Sequence, residues 1–290
     1  MSNAIELRCP AKLNLFLHIV GRRADGYHLL QSVFQLIDWC DILTLRVIPD
    51  NEIRRINPIP GVPPEEDLVI RAARLLKTFS KADQGIEIGL KKMIPMGAGL
   101  GGGSSDAAAT LIGLNHLWNL NLDTPTLSQL GLKLGADVPF FLFGQNAFVE
   151  GVGEQLEAIP LKTQDFVVIF PNQGIATAQI FQDPQLTRDH APITIDGFLA
   201  SPESYQSNDC QAAAVQNCPE VKQALDWIYK AVPNSAPCMS GSGSSVFAAL
   251  DYKTDTKNLE NLLQNLPKGW IGRIVRGLNK NPAYNLISSD

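Results

Sequence analysis

The segment Pro95-Met96-Gly97-Ala98-Gly99-Leu100-Gly101-Gly102-Gly103-Ser104-Ser105-Asp106-Ala107-Ala108-Ala109 joins an apolar, strand-like stretch at residues 86–90 to an alanine-rich helical pattern. Its glycines leave no side chains between the backbone and whatever approaches it. Glycine also tolerates the positive φ angles that turn successive N–H groups towards one centre. The helix predicted over residues 104–118 adds unsatisfied N-terminal donors and the positive end of its dipole. The product is an anion cradle of the size of a polyphosphate. Ser104 and Ser105 are read in two ways, as helix caps or as ligands of a phosphate oxygen or its metal. Gly103 marks a place where a bulkier residue would block the ligand. A merely flexible loop is the rival reading, but flexibility alone does not call for so unbroken a glycine run between a strand and a helix.

Three other phosphate-binding patterns fare worse. Gly97, Gly99 and Gly102 satisfy Gly-x-Gly-x-x-Gly, and Asp123 lies near the distance expected of a ribose-binding acid. A dinucleotide site needs that acid at the end of a second strand, whereas Asp123 opens a helix as Asp-Thr-Pro. No Lys-Ser or Lys-Thr follows the glycines, which excludes a Walker loop. The absence of His-Arg-Asp and Asp-Phe-Gly excludes a protein kinase.

Outward from this segment, residues 12–20 alternate as a strand, with Leu13, Leu15, Leu17 and Ile19 on one face and Lys12, Asn14, Phe16 and His18 on the other. A turn at residues 22–26 leads to strands near 33–37 and 42–47. A helix is predicted over 68–79, capped by Asp67, with Val69, Ala72, Ala73, Leu76 and Phe79 facing the core. Another starts at Thr124 as cap with Pro125 in its first turn, and ends near Gly135. The pattern restarts past residue 155. Strands are expected at 166–170, 246–250 and 270–275, with helices at 210–215, 219–232 and 256–266. Residues 182–207 look like a long surface connection. The class is α/β (α+β), in two domains, 1–155 and 156–290.

A hydrophobic content of 45% against 18% charged residues describes a chain with a well-buried core. Its net charge of −5 and lack of a dense Lys/Arg run argue against nucleic acid or an anionic membrane as partner. Cys9, Cys40, Cys210, Cys218 and Cys238 are scattered and contain no Cys-x-x-Cys pair. That favours a reducing compartment over a disulfide framework or zinc site. No apolar run spans a bilayer and the first residues lack a signal-peptide layout, so the expected location is cytoplasmic.

Phosphoryl transfer asks for positioning, charge neutralisation and a group to orient the attacking hydroxyl. Asp137, in Gly135-Ala136-Asp137-Val138-Pro139-Phe140-Phe141, offers a carboxylate among apolar neighbours. Taken alone it is equally a helix-end or turn aspartate, and Lys12 alone is equally a solvated strand lysine. Met239-Ser240-Gly241-Ser242-Gly243-Ser244-Ser245 is either a plain loop or a second set of backbone donors.

Together, Pro10-Ala11-Lys12-Leu13-Asn14, the glycine segment and Ser240-Gly241-Ser242-Gly243 resemble, in order and spacing, the three motifs of the GHMP kinase superfamily. The resemblance covers nearly the whole chain. It implies a two-domain fold, with an N-terminal half like domain 2 of ribosomal protein S5 and a ferredoxin-like C-terminal half. It also implies ATP as co-substrate with Mg2+, and a small-molecule alcohol as acceptor. Arg22-Arg23-Ala24-Asp25-Gly26-Tyr27-His28, Glu150-Gly151-Val152-Gly153-Glu154 and Ser207-Asn208-Asp209-Cys210 narrow the acceptor to a cytidine diphosphate-linked methylerythritol. By the same resemblance Asp137 takes the proton of the substrate's 2-hydroxyl, and Lys12 beside it stabilises the nucleophile and the transferring phosphoryl. Asn14 and Gly241 help hold the substrate. Tyr27 stacks on the cytosine and His28 bonds its edge, while Val152, Thr177 and Phe181 line the pocket. Residues Pro95 to Ser105 wrap the phosphates, with Lys92 and Asp67 near the adenine. The family commonly carries Asn where this chain has Asp67, so a helix cap and an adenine contact both stay open there. Ser240 stands where threonine is frequent. The resemblance supplies no magnesium ligands, and a monomer and a weak homodimer are both compatible with it.

Overall fold

The computed structural model describes residues 3–80 and 84–285. Its first half contains β1 (Ala4–Arg22), β2 (His28–Ile48), β3 (Ile53–Arg55), α1 (Leu68–Lys77), β4 (Gly85–Lys91), α2 (Gly102–Leu117), α3 (Thr124–Leu132), α4 (Val138–Phe143), β5 (Ala147–Glu150) and β6 (Gln155–Ala158). The second half contains β7 (Asp165–Phe170), α5 (Thr177–Gln182), α6 (Ile195–Ala200), α7 (Gln211–Asn217), α8 (Pro219–Ala231), β8 (Cys238–Met239), β9 (Val246–Ala249), α9 (Thr256–Leu263) and β10 (Ile271–Leu278).

The two strands expected at 33–37 and 42–47 are one long strand, β2, antiparallel to β1 along most of its length. On the face of this ribbon lies α2, whose residues Ala107 to Leu114 are all buried. A helix apolar on every side belongs inside a core, not on its surface. Its small residues permit the depth: a Cβ on Gly113 would lie 2.5 Å from Leu45 Cδ1 and 2.7 Å from Leu7 Cδ1. α1 packs beside it through Val69, Ala72, Ala73 and Leu76. Phe79, expected on that face, lies past the helix end and is exposed.

The second half pairs its strands antiparallel in the order β10-β7-β9-β8, which is the β-α-β-β-α-β ferredoxin-like arrangement expected from the resemblance. β10 also pairs with β2 through Gly277↔Ile37 and Leu278↔Leu36, so the last strand stitches the two halves into one continuous sheet.

Three local expectations change. Asp123, not Thr124, caps α3, accepting from Thr126 N at 3.0 Å. The register of β1 shifts between Asn14 and Leu17. That irregularity breaks strict alternation and brings Leu17 to the same cavity as Lys12 and Asn14, rather than to the opposite face. Thirdly, residues 182–207 do run over the surface, but not as a featureless connection. They contain α6 and a 3₁₀ turn, and Phe198 is buried against Phe16 with ring centroids 5.4 Å apart.

The same segment stacks His190 on buried His18, centroids 3.5 Å apart and planes 9° from parallel, with His190 Nδ1 3.1 Å from Asp209 Oδ1. Burial, then the neighbouring His190, pushes the His18 imidazole down to about 4, against a smaller opposing pull from Asp209. The unfolded chain therefore binds a proton here between pH 6.5 and 4 that the folded chain refuses. Stability from this site is complete above pH 6.5 and falls as pH drops towards 4, by about 2 kcal/mol at pH 5. Urea unfolding of the parent and of His18→Gln at pH 7.5 and pH 5 checks this. The variant is expected to lose most of that pH slope.

Candidate active site

The glycine segment forms a wall shared by two cavities, since Gly97, Gly99 and Gly101 line both. The smaller, about 310 Å³, is bounded by Asp67, Lys92 and residues 95–104. Gly97, Gly99 and Gly101 all have positive φ, and Gly101 in the left-handed region starts α2 without any side-chain cap. Neither Ser104 nor Ser105 fills the capping role. The amides of residues 97–104 have no protein acceptor among the described residues, and the first helical bond is Ser105 N to Gly101 O at 2.9 Å. A row of unpaired donors at a helix start is an anion site by construction. Ser104 borders this cavity. Ser105 does not: it is buried, and its Oγ has no protein partner.

Asp67 does act as the helix cap, Oδ1 accepting from Val69 N at 2.9 Å, while Oδ2 takes Arg55 Nε at 2.9 Å. Both oxygens are thus engaged, and Asp67 shapes the cavity from behind the helix start. Asp67→Ala removes the cap and strands a buried guanidinium, so unfolding free energy is expected to drop by about 3–5 kcal/mol. Asp67→Asn, which keeps an oxygen for Val69, is expected to cost less. Urea titration of the two variants measures the difference.

Lys92 reaches the cavity wall but its ammonium is held by Asp41 and by Asp106 Oδ2, the latter at 2.7 Å. Burial alone would lower it, yet the carboxylates of Asp106 and Asp41 outweigh burial and hold it above its ordinary range. Burial raises the Asp106 carboxyl, with Lys92 pulling the other way and Asp41 adding to the rise. This buried cluster fastens the end of β4 to α2: Asp41 Oδ1 also accepts from Ile94 N at 2.8 Å, just before the glycines. Nothing in the sequence distinguished Asp41 or Asp106 for that task.

The larger cavity, about 740 Å³, gathers Lys12, Asn14, Tyr27, His28, Asp137, Val152, Thr177, Phe181 and Gly241, which are all the residues expected to meet the acceptor and perform the transfer. Lys12 Nζ lies 3.5 Å from Asp137 Oδ2. Lys12 is only 3% exposed, so the solvated-lysine reading fails. Its charge is shared with Asn14 Oδ1 and the Phe34 ring, whose centroid is 4.6 Å away. Asp137 occupies the cap position of α4 yet makes no capping bond, which leaves its carboxylate to Lys12 and the cavity.

The second glycine patch is no idle loop. Ser240 Oγ donates to Gly99 O at 3.1 Å and accepts from Asn14 N at 3.1 Å, and Ser245 N donates to Ala98 O at 3.1 Å. It locks the first glycine loop against β1 from the other half of the chain. Asn208 in turn holds the patch, donating to Met239 O at 2.7 Å and Gly241 O at 2.8 Å.

A profile described as the GHMP kinases N terminal domain matches residues 67–145, and one described as GHMP kinases C terminal matches residues 199–271. The chain belongs to the GHMP kinase family. Among relatives of this GHMP kinase, 4-diphosphocytidyl-2-C-methyl-D-erythritol kinase of Polynucleobacter asymbioticus is 76% identical, covering 99% of this chain and 98% of that one. The enzyme of the same name from Burkholderia mallei is 49% identical over 96% of each chain. A crystal structure of 4-(cytidine 5'-diphospho)-2C-methyl-D-erythritol kinase superposes with a TM-score of 0.81 at 30% identity, over 95% of this chain and all of that one.

The family's motif residues form the two cavities of this GHMP kinase. Arg188 belongs with them and was not foreseen. It lines the larger cavity and donates from Nε to His28 Nε2 at 3.1 Å. A lone arginine within a polar, irregular stretch carries no periodic signal that would have marked it.

Proposed function

We infer that this GHMP kinase transfers the terminal phosphoryl group of ATP to the 2-hydroxyl of 4-diphosphocytidyl-2-C-methyl-D-erythritol, in the non-mevalonate route to isoprenoid precursors. The observation that carries the reading is the pairing of buried Lys12 with partly exposed Asp137, 3.5 Å apart, facing a cavity whose wall is the back of an amide-lined phosphate loop. The full-length likeness to enzymes of that name supports the choice of acceptor.

ATP occupies the smaller cavity with its phosphates on the amides of residues 97–104, so the γ-phosphoryl group emerges beside Gly99 and Gly101 into the larger one. Asp137 accepts the proton of the hydroxyl as its oxygen attacks phosphorus. A bond forms from that oxygen to the γ-phosphorus, the bond to the β–γ bridging oxygen breaks, and ADP leaves. The Lys12 ammonium, oriented by Asn14, neutralises charge spreading over the transferring group. Tyr27 and Phe181 provide apolar faces for a pyrimidine and His28 a polar edge contact. We assign residues 1–155 to the nucleotide-binding domain and 156–290 to the second.

Among the described residues no three His, Cys, Asp or Glu gather to hold a metal. Magnesium is held chiefly by substrate phosphates and water, and it enters as part of the MgATP substrate. No described helix is long and apolar enough to cross a membrane. Five free, buried thiols support a cytoplasmic location.

A coupled ADP-release assay comparing the cytidyl alcohol with homoserine and mevalonate tests the assignment. Turnover confined to the cytidyl compound is expected. Turnover of either alternative in its place would overturn the assignment.

A further inference from the structure

Arg188 does more than border the cavity. Its NH1 donates to Leu186 O at 2.9 Å, and its NH2 donates to Asp183 O at 2.7 Å and to Phe181 O at 3.4 Å. These carbonyls belong to the end of α5 and the turn after it, where unpaired acceptors are left by the helix. The Nε–H points the other way, at His28 Nε2. One planar guanidinium therefore joins the residue that closes the cavity on one side, Phe181, to the imidazole 5.2 Å from it, centroid to centroid.

The chemistry of that contact fixes a proton. Arginine has no lone pair to offer and stays charged, so His28 Nε2 must be the acceptor and Nδ1 must carry the hydrogen. Burial, then Arg188 and Arg22, all disfavour a second proton on the ring. Among the described residues no protein atom hydrogen-bonds Nδ1. The ring is thus a neutral donor with its N–H unspent.

We propose that Arg188 is the positioning residue for base selection: it locks His28 in the Nδ1–H tautomer, so that the cavity accepts a base with an acceptor at N3 and rejects one with a hydrogen there. Cytosine has a lone pair at N3 and uracil an N–H. Rejection follows because a donor facing a donor leaves both unpaired once the bound base displaces water. This rests on the cytidyl acceptor argued above.

The test compares parent, Arg188→Met, Arg188→Lys, His28→Gln and the Arg188→Met/His28→Gln double variant. Each is assayed with the cytidine- and uridine-diphosphate-linked alcohols. Nitrogen-15 shifts of the His28 ring are recorded on parent and on Arg188→Met, without substrate. Arg188→Met is expected to raise KM for the cytidyl substrate about 10-fold or more, with kcat and the KM for ATP within about threefold. The cytidine-over-uridine preference should shrink with it, and the tautomer signature should become mixed. Arg188→Lys, which keeps a charge but not the planar fork, should rescue only part of this. In the His28→Gln background the Arg188 change should add little, as for two residues acting as a unit. An unchanged base preference with an unchanged His28 tautomer in Arg188→Met would overturn the proposal, and so would full additivity in the double variant. Failure of the parent to turn over the cytidyl compound would instead sink the substrate assignment, while the ring shifts would still report on the Arg188–His28 lock.

Discussion

Asp137→Asn is expected to bind ATP as the parent does and to lose about 10²–10⁴-fold in kcat. The substitution preserves shape and removes only the ability to take a proton. The fold should not notice: the Asp137 side chain makes no capping bond to α4 and is partly exposed, while the core around it is supplied by Val138, Phe140 and Phe141. Lys12 keeps Asn14 Oδ1 and the Phe34 ring as partners, so its buried charge is not stranded by the change. The amides of residues 97–104, proposed above to hold the nucleotide, line the second cavity behind the glycine wall, which is why ATP affinity and turnover should separate. Nucleotide titration by calorimetry, alongside steady-state rates and a melting curve, measures all three. A kcat within about threefold of the parent would remove Asp137 from the proton transfer, and the mechanism would then reduce to positioning and charge.

Much of this site was legible because its chemistry is written in residue types that local physics constrains. Glycines that must adopt positive φ, and a lysine and asparagine two apart on one strand, are visible without coordinates. The cavity-facing role of Leu17 was not, because a register shift leaves no mark in an apolar alternation. The anchoring of residues 182–207 was hidden for a related reason. Their composition is polar, but Phe198, Leu186 and the His18–His190 stack provide enough anchoring to hold the segment down. Asp41, Asp106 and Arg188 escaped because each is a single polar side chain that meets a side-chain partner on another segment of the chain. Asp41 meets Lys92 and Arg188 meets His28 only once the strands are paired. Tertiary partnership of this kind has no period for a sequence reading to detect.

The glycines themselves allow a sharper separation of fold from ligand. Gly99 has φ +74°, and a Cβ placed on it would lie 2.2 Å from Ser240 O and 2.9 Å from Gly243 O. Those are backbone atoms of the second glycine patch and cannot swing aside as a side chain would. Gly99→Ala must therefore part the two loops, in addition to about 1–2 kcal/mol for a left-handed alanine. The bonds of Ser240 to Gly99 O and of Ser245 to Ala98 O would be strained or lost together. Gly103 is the opposite case. It sits inside α2 with no positive φ, and an added Cβ meets only Leu68 Cδ1, at an ordinary 3.5 Å. Gly103→Ala should be neutral or stabilising by about 0.5–1 kcal/mol, as for glycine replaced in a helix. Yet it places a methyl in the wall of the nucleotide cavity. The expected pattern is thus crossed. Gly99→Ala lowers the melting temperature and cuts kcat/KM for ATP by about 10²-fold, since a loop displaced by about 1 Å misplaces the phosphoryl group. Gly103→Ala melts at or above the parent but needs more ATP to saturate. If Gly99→Ala instead melts and turns over like the parent, the two glycine loops do not act as one clamp. Should Gly103→Ala leave the KM for ATP untouched, the nucleotide does not lie along the start of α2.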